Sequence, residues 1–373
     1  MWDWRQLRWL NYFGWWPWEA KTQRAFLISR FFGFLCYFID FIEMGPEVAQ
    51  VIIASKSGSM GPVIFNINQT LVGVQWAAKV ATVYSMNKQV QDMVKRFQEM
   101  DKRGRALIGD KEVDEMSKYW EFRCYLTTLL VPISMTVSTL WLLRPIVYLF
   151  LGQWVHILDA WTPFDSSNVF GWLINYVLQG VHVMTAIWGL VVFDSLMCCF
   201  LQMLHLQFDV LKKALERLLY NGSEKQLTRC IIFHQEILRL GKDINSIFKY
   251  LILLQSIIST LVICLSIFEF SKTDGSIMKR INTLLLSGCQ AYECFLYSWL
   301  CEELESQNIE VIRAAYRSNW HEASLKERRK LIFLMARSQK PQLYGMVVIV
   351  NTAFFLAVIK TSFSYYQFLA TMV

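Results

Sequence analysis

MVVIVNTAFFLAVIKTSFSYYQFLATMV, residues Met346 to Val373, is a long apolar run that follows a Lys340-Pro341 break and Gly345. Proline cannot continue a helix and glycine relaxes the chain, so a new helix is expected to start here. At 1.5 Å per residue the run would rise about 40 Å, enough to cross a bilayer. It also carries Lys360, Thr361, Ser362, Ser364, Gln367 and Thr371. At 100° per residue, Lys360, Ser364, Gln367 and Thr371 share a stripe roughly 60° wide. Polar groups at that depth are costly unless they face protein or water, so the run reads as a last span lining something wet.

The rest of the chain supports a membrane reading. Of its 373 residues 54% are apolar and 18% charged, aromatics reach 15% with 15 Trp, and mean hydropathy is +0.31. Seven spans are expected, near Phe31–Ile53, Val63–Tyr84, Phe122–Tyr148, Val169–His205, Tyr250–Phe270, Ile281–Cys301 and Met346–Met372. The N-terminal stretch mixes charge with Trp2, Trp4, Trp9, Trp15, Trp16 and Trp18, which reads as an interfacial segment, not a cleaved signal.

Lys and Arg are unevenly shared between the two sets of connections. Segments 1–26, 86–121, 206–248 and 302–342 together hold 27, and the alternate connections hold 5. The positive-inside rule then puts the N-terminus in the cytoplasm and the C-terminus outside. That inverts a G-protein-coupled receptor, and neither an acidic-Arg-aromatic triplet nor an Asn-Pro-x-x-Tyr element is visible. The formal charge of +7 follows topology, so no nucleic-acid partner is expected.

The fourth helix is expected to run without proline from Val169 toward Tyr220. The fifth and sixth are also extended on the cytoplasmic side. With the segment before Pro341 they should pack into a cytoplasmic bundle. The division is residues 1–30 cytoplasmic or interfacial, 31–205 spans one to four, 206–250 and 302–342 the bundle, 251–301 spans five and six, and 346–373 the last span, within one domain covering 1–373. All nine cysteines fall in or beside spans or in a cytoplasmic loop and read as buried small hydrophobes.

No catalytic motif is visible: no H-E-x-x-H, no G-x-S-x-G, no P-loop. The chain is therefore not expected to be an enzyme, and no cofactor or metal is expected. His205 and Asp209 share a helix face but are two ligands where a metal needs three or four, so they read as solvated or interfacial. Neither sequon, at Asn68 or Asn221, is expected to carry a glycan. Asp40, Glu43, Lys79, Asp194, Glu269 and Lys360 lie inside spans. Those near span ends are expected to snorkel, while Asp194 and Lys360 admit either structural pairing or a direct functional role.

WTPFDSSNVFGWLINYVLQ (Trp161–Gln179), AAYRSNWHEASLKERRKLIFLMARSQKPQLYG (Ala314–Gly345) and IKTSFSYYQFL (Ile359–Leu369) resemble the insect odorant receptor family in order and spacing. The matching pieces are Pro163–Asp165, Ala315–Trp320, Lys340-Pro341 and Ser364-Tyr365. The resemblance covers the last 215 or so residues, and the N-terminal half agrees in span layout alone. It implies an all-α, seven-span odorant-tuning subunit of a heteromeric ligand-gated cation channel. Four subunits would surround one pore, with a shared co-receptor as partner. The loop at 206–248 is too short for the co-receptor itself. A gustatory-type channel is the nearest alternative, but Thr361 falls one residue out of the gustatory spacing to Gln367-Phe368. A metabotropic seven-helix receptor is a further one.

The resemblance also implies sites. The pore or gate would fall at Ser364, Gln367, Phe368, Thr371 and Met372, with Phe368 as a hydrophobic constriction. A small volatile organic ligand would bind in the outer half. Its pocket would use Leu71, Val74 and Gln75 of span two, and Met135, Ser138, Thr139 and Leu142 of span three. Tyr176, Val177, Gly180, Val181 and Met184 of span four and Leu285 and Gly288 of span six would complete it. The implied location is a multi-pass plasma-membrane protein in a sensory dendrite, surrounded by lipid.

Overall fold

Asn168 starts the central helix. Its Oδ1 accepts from Gly171 N at 2.8 Å, satisfying one of the free amides at a helix start. From there α7, Val169–Glu216, runs without interruption. At 1.5 Å per residue it is about 70 Å long, more than twice the hydrocarbon thickness.

The computed structural model describes all residues except 1–4, 13–22, 59, 129, 163, 165–167, 219–223, 273–276, 341–343, 346–348 and 373. The described helices are α1 (Arg5–Tyr12), α2 (Gln23–Lys56), α3 (Met60–Ser85), α4 (Asn87–Ile108), α5 (Asp110–Thr128), α6 (Leu130–Phe150), α7, α8 (Glu224–Lys272), α9 (Ile277–Arg317), α10 (Leu325–Ser338) and α11 (Thr352–Met372). The only β feature among them is a bridge between Gly345 and Ile349. The fold is all-α; α2, α3, α7, α8, α9 and α11 carry six of the seven expected spans, and the third, Phe122–Tyr148, is shared between the end of α5 and α6.

Helix α7 is the hub. It touches α1, α2, α3, α4, α5, α6, α8 and α9. Its second half is buried almost all round, from Val192 through Phe208, as expected of a helix apolar on every face. Helix α2 is the opposite case: Phe31, Phe34, Phe38 and Phe41 point outward, while Asp40, Glu43 and Glu47 point inward. Lipid is as apolar as these phenylalanines, so this face needs no protein cover.

Beyond the spans, α7, α8 and α9 continue and pack with α10. Leu211, Leu215, Leu227, Phe233, Leu240, Val311, Ala314 and Leu331 form this core. The sequence reading did not include α4 in this bundle, yet it belongs there. A Cβ on Gly104 of α4 would sit 3.0 Å from Val210 of α7, so glycine permits the close crossing. Helix α10 opens on a capping box between Ser324 and Glu327. Helix α1 buries Leu7 and Leu10 against α7, so this part of the expected interfacial segment is docked in the core.

Two helix ends differ from expectation. Helix α7 stops at Glu216, short of Tyr220, ahead of the Asn221-Gly222 turn pair. The last helix starts at Thr352, not Met346. Gly345 has φ +120°, Val350 N donates to Tyr344 O at 2.9 Å, and Asn351 Oδ1 accepts from Phe354 N at 2.9 Å. Asn351 is a helix cap placed after a β-branched run that favours extended chain. At about 32 Å the shortened helix still spans a bilayer.

Candidate functional site

The connection from α6 to α7 folds back over the end at which α7 begins. Gln179 Oε1 accepts from the backbone amides of Ile157 and Leu158, each at 3.1 Å. Trp172 Nε1 donates to Val155 O at 3.1 Å, and Asn66 Nδ2 donates to Asp159 O at 3.1 Å. The linker thereby presses Ile157 and Leu158 onto Val183, with Phe65, Trp141, Leu142, Tyr176 and Ile187 around them. The result is an apolar cluster between α3, α6 and α7, roofed by the linker.

Three of the pocket residues read from the sequence meet there. Tyr176 donates its hydroxyl to Leu142 O at 3.1 Å and stacks on Trp172 with ring centroids 5.2 Å apart. Gly180 lies against the same leucine: a Cβ there would be 3.3 Å from Leu142 and 3.7 Å from Ile157. Leu71, Val181 and Met184 are half-buried and Ser138 is buried. Val74, Thr139, Val177, Leu285 and Gly288 are exposed and are not part of this cluster. The side chain of Met135 and the Pro163–Asp165 turn lie outside the described residues. Sequence reasoning missed Ile157, Leu158 and Gln179. The signal available was the apolar pair Ile157-Leu158 between two polar residues, His156 and Asp159.

Gln75 turns inward instead, into a buried polar core. Its Nε2 donates to Gln255 Oε1 and, at 3.0 Å, to Glu293 Oε2. Gln255 Nε2 donates to the same Glu293 oxygen at 2.6 Å. Lys79 Nζ lies 2.6 Å from Asp194 Oδ1 and 3.7 Å from Glu293 Oε2, and Tyr297 donates its hydroxyl to Asp194. Lys79 is 1% exposed, so it does not snorkel to an interface as expected of a residue near a span end. It is the cation of a triad joining α3, α7 and α9, and it gives Asp194 a structural partner.

A second polar cluster joins α2 to α7. Asp40 accepts from Thr185 Oγ1 at 2.7 Å and faces His182 Nδ1 at 2.9 Å. Glu47 Oε1 lies 3.5 Å from His182 Nε2, and Glu47 Oε2 accepts from Thr70 Oγ1 at 3.2 Å. The His182 ring thus lies between two carboxylates of α2 and ties that helix to α7.

His205 is buried, not solvated or interfacial. Its ring stacks on Trp120 at 4.8 Å, and Trp120 Nε1 donates to Asp209 Oδ2 at 2.7 Å. The His205/Asp209 pair therefore holds an indole. Arg123 lies over that indole and over Trp299, at 4.8 and 5.0 Å, and grips Glu303 with two bonds of 2.7 and 3.0 Å. Asn68 is also buried, 3.5 Å from Ser266 Oγ, which shields the first sequon. Asn221 of the second lies outside the described residues.

Helix α11 packs on α8 and α9, with Phe355 edge-on to Phe295 at 5.5 Å and with Val358 and Ser362 buried. Its opposite face is uncovered. Lys360, Ser364, Gln367, Phe368 and Thr371 are all exposed, Phe368 by 60%. Ser364 and Thr371 turn their hydroxyls back to Lys360 O and Phe368 O, at 3.0 and 2.7 Å. The side chain of Met372 lies outside the described residues.

The described residues thus form a seven-span helical membrane bundle with a roofed apolar cluster and buried polar ties. The model of the 7tm odorant receptor family matches residues 63–363, and the chain belongs to that family of odorant-sensing receptors. Odorant receptor 45a of Drosophila melanogaster is 28% identical over 233 residues, 59% of this chain and 61% of its own length. Odorant receptor 82a of the same fly is 22% identical over 324 residues, 82% of this chain and 81% of its own. The insect olfactory receptor OR5 from Machilis hrabei, solved in complex with eugenol, has the same fold. It superposes with a TM-score of 0.87 at 18% identity, covering 99% of this chain and 97% of that one.

Proposed function

We propose that this chain is the odorant-tuning subunit of a heteromeric, ligand-gated, non-selective cation channel, assembled as a tetramer with a co-receptor subunit. The observation that carries the reading is the uncovered face of α11. A membrane helix whose exposed face holds Lys360, Ser364, Gln367 and Thr371 is costly against lipid and suited to a wet lumen shared between subunits. Phe368 beside that stripe supplies an apolar constriction, and Met372 completes the candidate gate.

The ligand is a small volatile, received in the apolar cluster of Leu142, Tyr176, Gly180 and Val183 under the Ile157–Leu158 roof. Its one ready polar handle is the Tyr176 hydroxyl. The other proposed lining residues are Leu71, Val74, Gln75, Met135, Ser138, Thr139, Val177, Val181, Met184, Leu285 and Gly288. Ligand opens the pore only by binding the open arrangement more tightly than the closed one. The charge asymmetry supports a cytoplasmic N-terminus, an outward C-terminus and a cytoplasmic bundle, in the plasma membrane of a sensory dendrite.

The test is co-expression with an insect odorant co-receptor in oocytes and recording against a panel of volatiles. Thr371→Val and Phe368→Ala should change ion permeability ratios or basal current at equal surface labelling. Unchanged permeation in both variants moves the pore away from α11. Evoked current that vanishes in excised, nucleotide-free patches replaces the channel by a metabotropic receptor.

A further inference from the structure

The base of α11 is clasped from two sides. On one side, the Asn245 amide of α8 grips the Gly345 peptide: Gly345 N donates to Asn245 Oδ1 at 2.8 Å, and Asn245 Nδ2 donates to Gly345 O at 3.3 Å. On the other, Glu302 of α9 caps the helix. Its Oε2 accepts from Thr352 N at 2.8 Å and also from the Thr352 hydroxyl. These bonds hold the Glu302 carboxyl below the ordinary carboxylate range. Buried Tyr344 and Val350 close the turn between the two grips.

We propose that Asn245 and Glu302 are positioning residues that form the pivot on which α11 tilts, making the last helix a lever driven by α9. The inference deepens the channel reading above and rests on it. A carboxylate on the first amide of a helix places negative charge at the positive end of the helix dipole, the strongest short tie available there. Gly345, with φ +120°, adopts a backbone conformation that glycine takes without strain and that other residues rarely do. Phe368 and Thr371 lie about 24–28 Å along the axis from that base, at 1.5 Å per residue. A tilt of about 5° would therefore move them by roughly 2 Å, on the scale of a hydrophobic gate. A fixed base converts a small shift of α9 into that swing, whereas a loose base lets the gate end wander.

The test uses the full chain with its co-receptor and two readouts that need no identified ligand. The first is amide hydrogen exchange over residues 349–356 in purified complex. The second is ligand-independent current at equal surface labelling. Glu302→Gln and Thr352→Val should each speed exchange at residues 352–356 about tenfold, the loss of one strong cap. Each should raise basal current two- to threefold. Thr352→Val removes the hydroxyl bond alone and leaves the backbone N–H on Glu302, so with both bonds ending on one carboxylate the double variant should fall short of the sum of the singles. Thr352→Ser keeps both donors and should behave as wild type, and Asn245→Ala should raise basal current independently.

Unchanged exchange in Glu302→Gln overturns the clasp itself. Faster exchange with unchanged basal current, while Thr371→Val still alters permeation, overturns the pivot and leaves the pore on α11. If Thr371→Val and Phe368→Ala are also silent, the pore reading fails and takes the pivot with it.

Discussion

Removing one partner of the Lys79–Asp194 pair should weaken the receptor more than removing both. At an effective dielectric near 20, unit charges at the observed 2.6 Å attract by about 6 kcal/mol, and Lys79 and Glu293 at 3.7 Å by about 4–5 kcal/mol. Most of that is offset by the cost of taking the ions out of water. Lys79→Met destroys the attraction without refunding the desolvation: Asp194 and Glu293 are left with Gln75, Gln255 and Tyr297 and no cation. The expected loss is about 3–5 kcal/mol, the range for breaking a buried pair. For a chain of this size that lowers an apparent Tm by roughly 4–6 °C. Asp194→Leu should cost less, because Glu293 remains to pair the lysine. Lys79→Met with Asp194→Leu should recover much of the loss, leaving Glu293 to its two glutamines. Fluorescence-detected size-exclusion melts of the detergent-solubilised complex measure the series. A double variant as unstable as the sum of the singles would refute the reasoning, since it would show that the two charges do not act through one another.

Three further outcomes follow from particular contacts. Gln179→Ala strips the acceptor from the Ile157 and Leu158 amides, at about 1–3 kcal/mol for each buried group left unpaired. It should speed amide exchange across residues 153–160 and shift odorant potency by tenfold or more. Intact protection there would remove the linker's role as roof. Arg123→Lys keeps the charge but loses the fork on Glu303 and the stacking on Trp120 and Trp299, so it should lower the melt by about 2 °C or more; a wild-type melt would contradict this. Burial holds the His234 imidazole down at about 4. The unfolded chain therefore binds the extra proton first, and the bundle loses stability as pH falls below about 6.5, by roughly 2 kcal/mol at pH 5. His234→Leu should flatten melts recorded from pH 7 to pH 5, and an equal slope in that variant would place the sensitivity elsewhere.

The spans were legible because membrane helices must be long and apolar, and the polar stripe of α11 was legible because helical spacing is local. What escaped was tertiary. Lys79, Asp194 and Glu293 are far apart in sequence and meet only once α3, α7 and α9 pack. A lysine near a span end reads as a snorkelling group until its partners are known. His205 escaped for a related reason: its partner Trp120 comes from α5, so the local pair with Asp209 pointed to water, not to a stacked ring. The start of α11 was open to local reading. Asn351-Thr352 is a capping signal, but hydropathy carried the helix past it, because Ile349 and Val350 are as apolar outside a helix as within one. The roof over Tyr176 needed the Gln179 amide to find two backbone amides on a segment with no regular structure, and no period in the sequence announces that.

In lipid the hydrophobic effect does not choose how helices register, because tails and side chains are equally apolar; packing and buried polar pairs choose. Helix α7 shows this at successive levels. Gln179 ties the linker, His182 and Thr185 tie α2, Asp194 ties α3 and α9, and Asp209 ties α5 through Trp120. Sliding any of these neighbours along α7 would orphan a buried polar group at a defined depth, which makes this part of the bundle stiff. Helix α11 is built differently. It rests on α8 and α9, keeps its polar stripe on the uncovered side, and carries its strong bonds at the base, to Asn245 through the preceding turn and to Glu302. A helix whose inter-helix hydrogen bonds sit at its base, and whose packing on α8 and α9 is otherwise apolar, can shift without breaking a buried polar pair. That contrast is the physical reason to look for gating at Phe368 and Thr371 and for its control at Glu302.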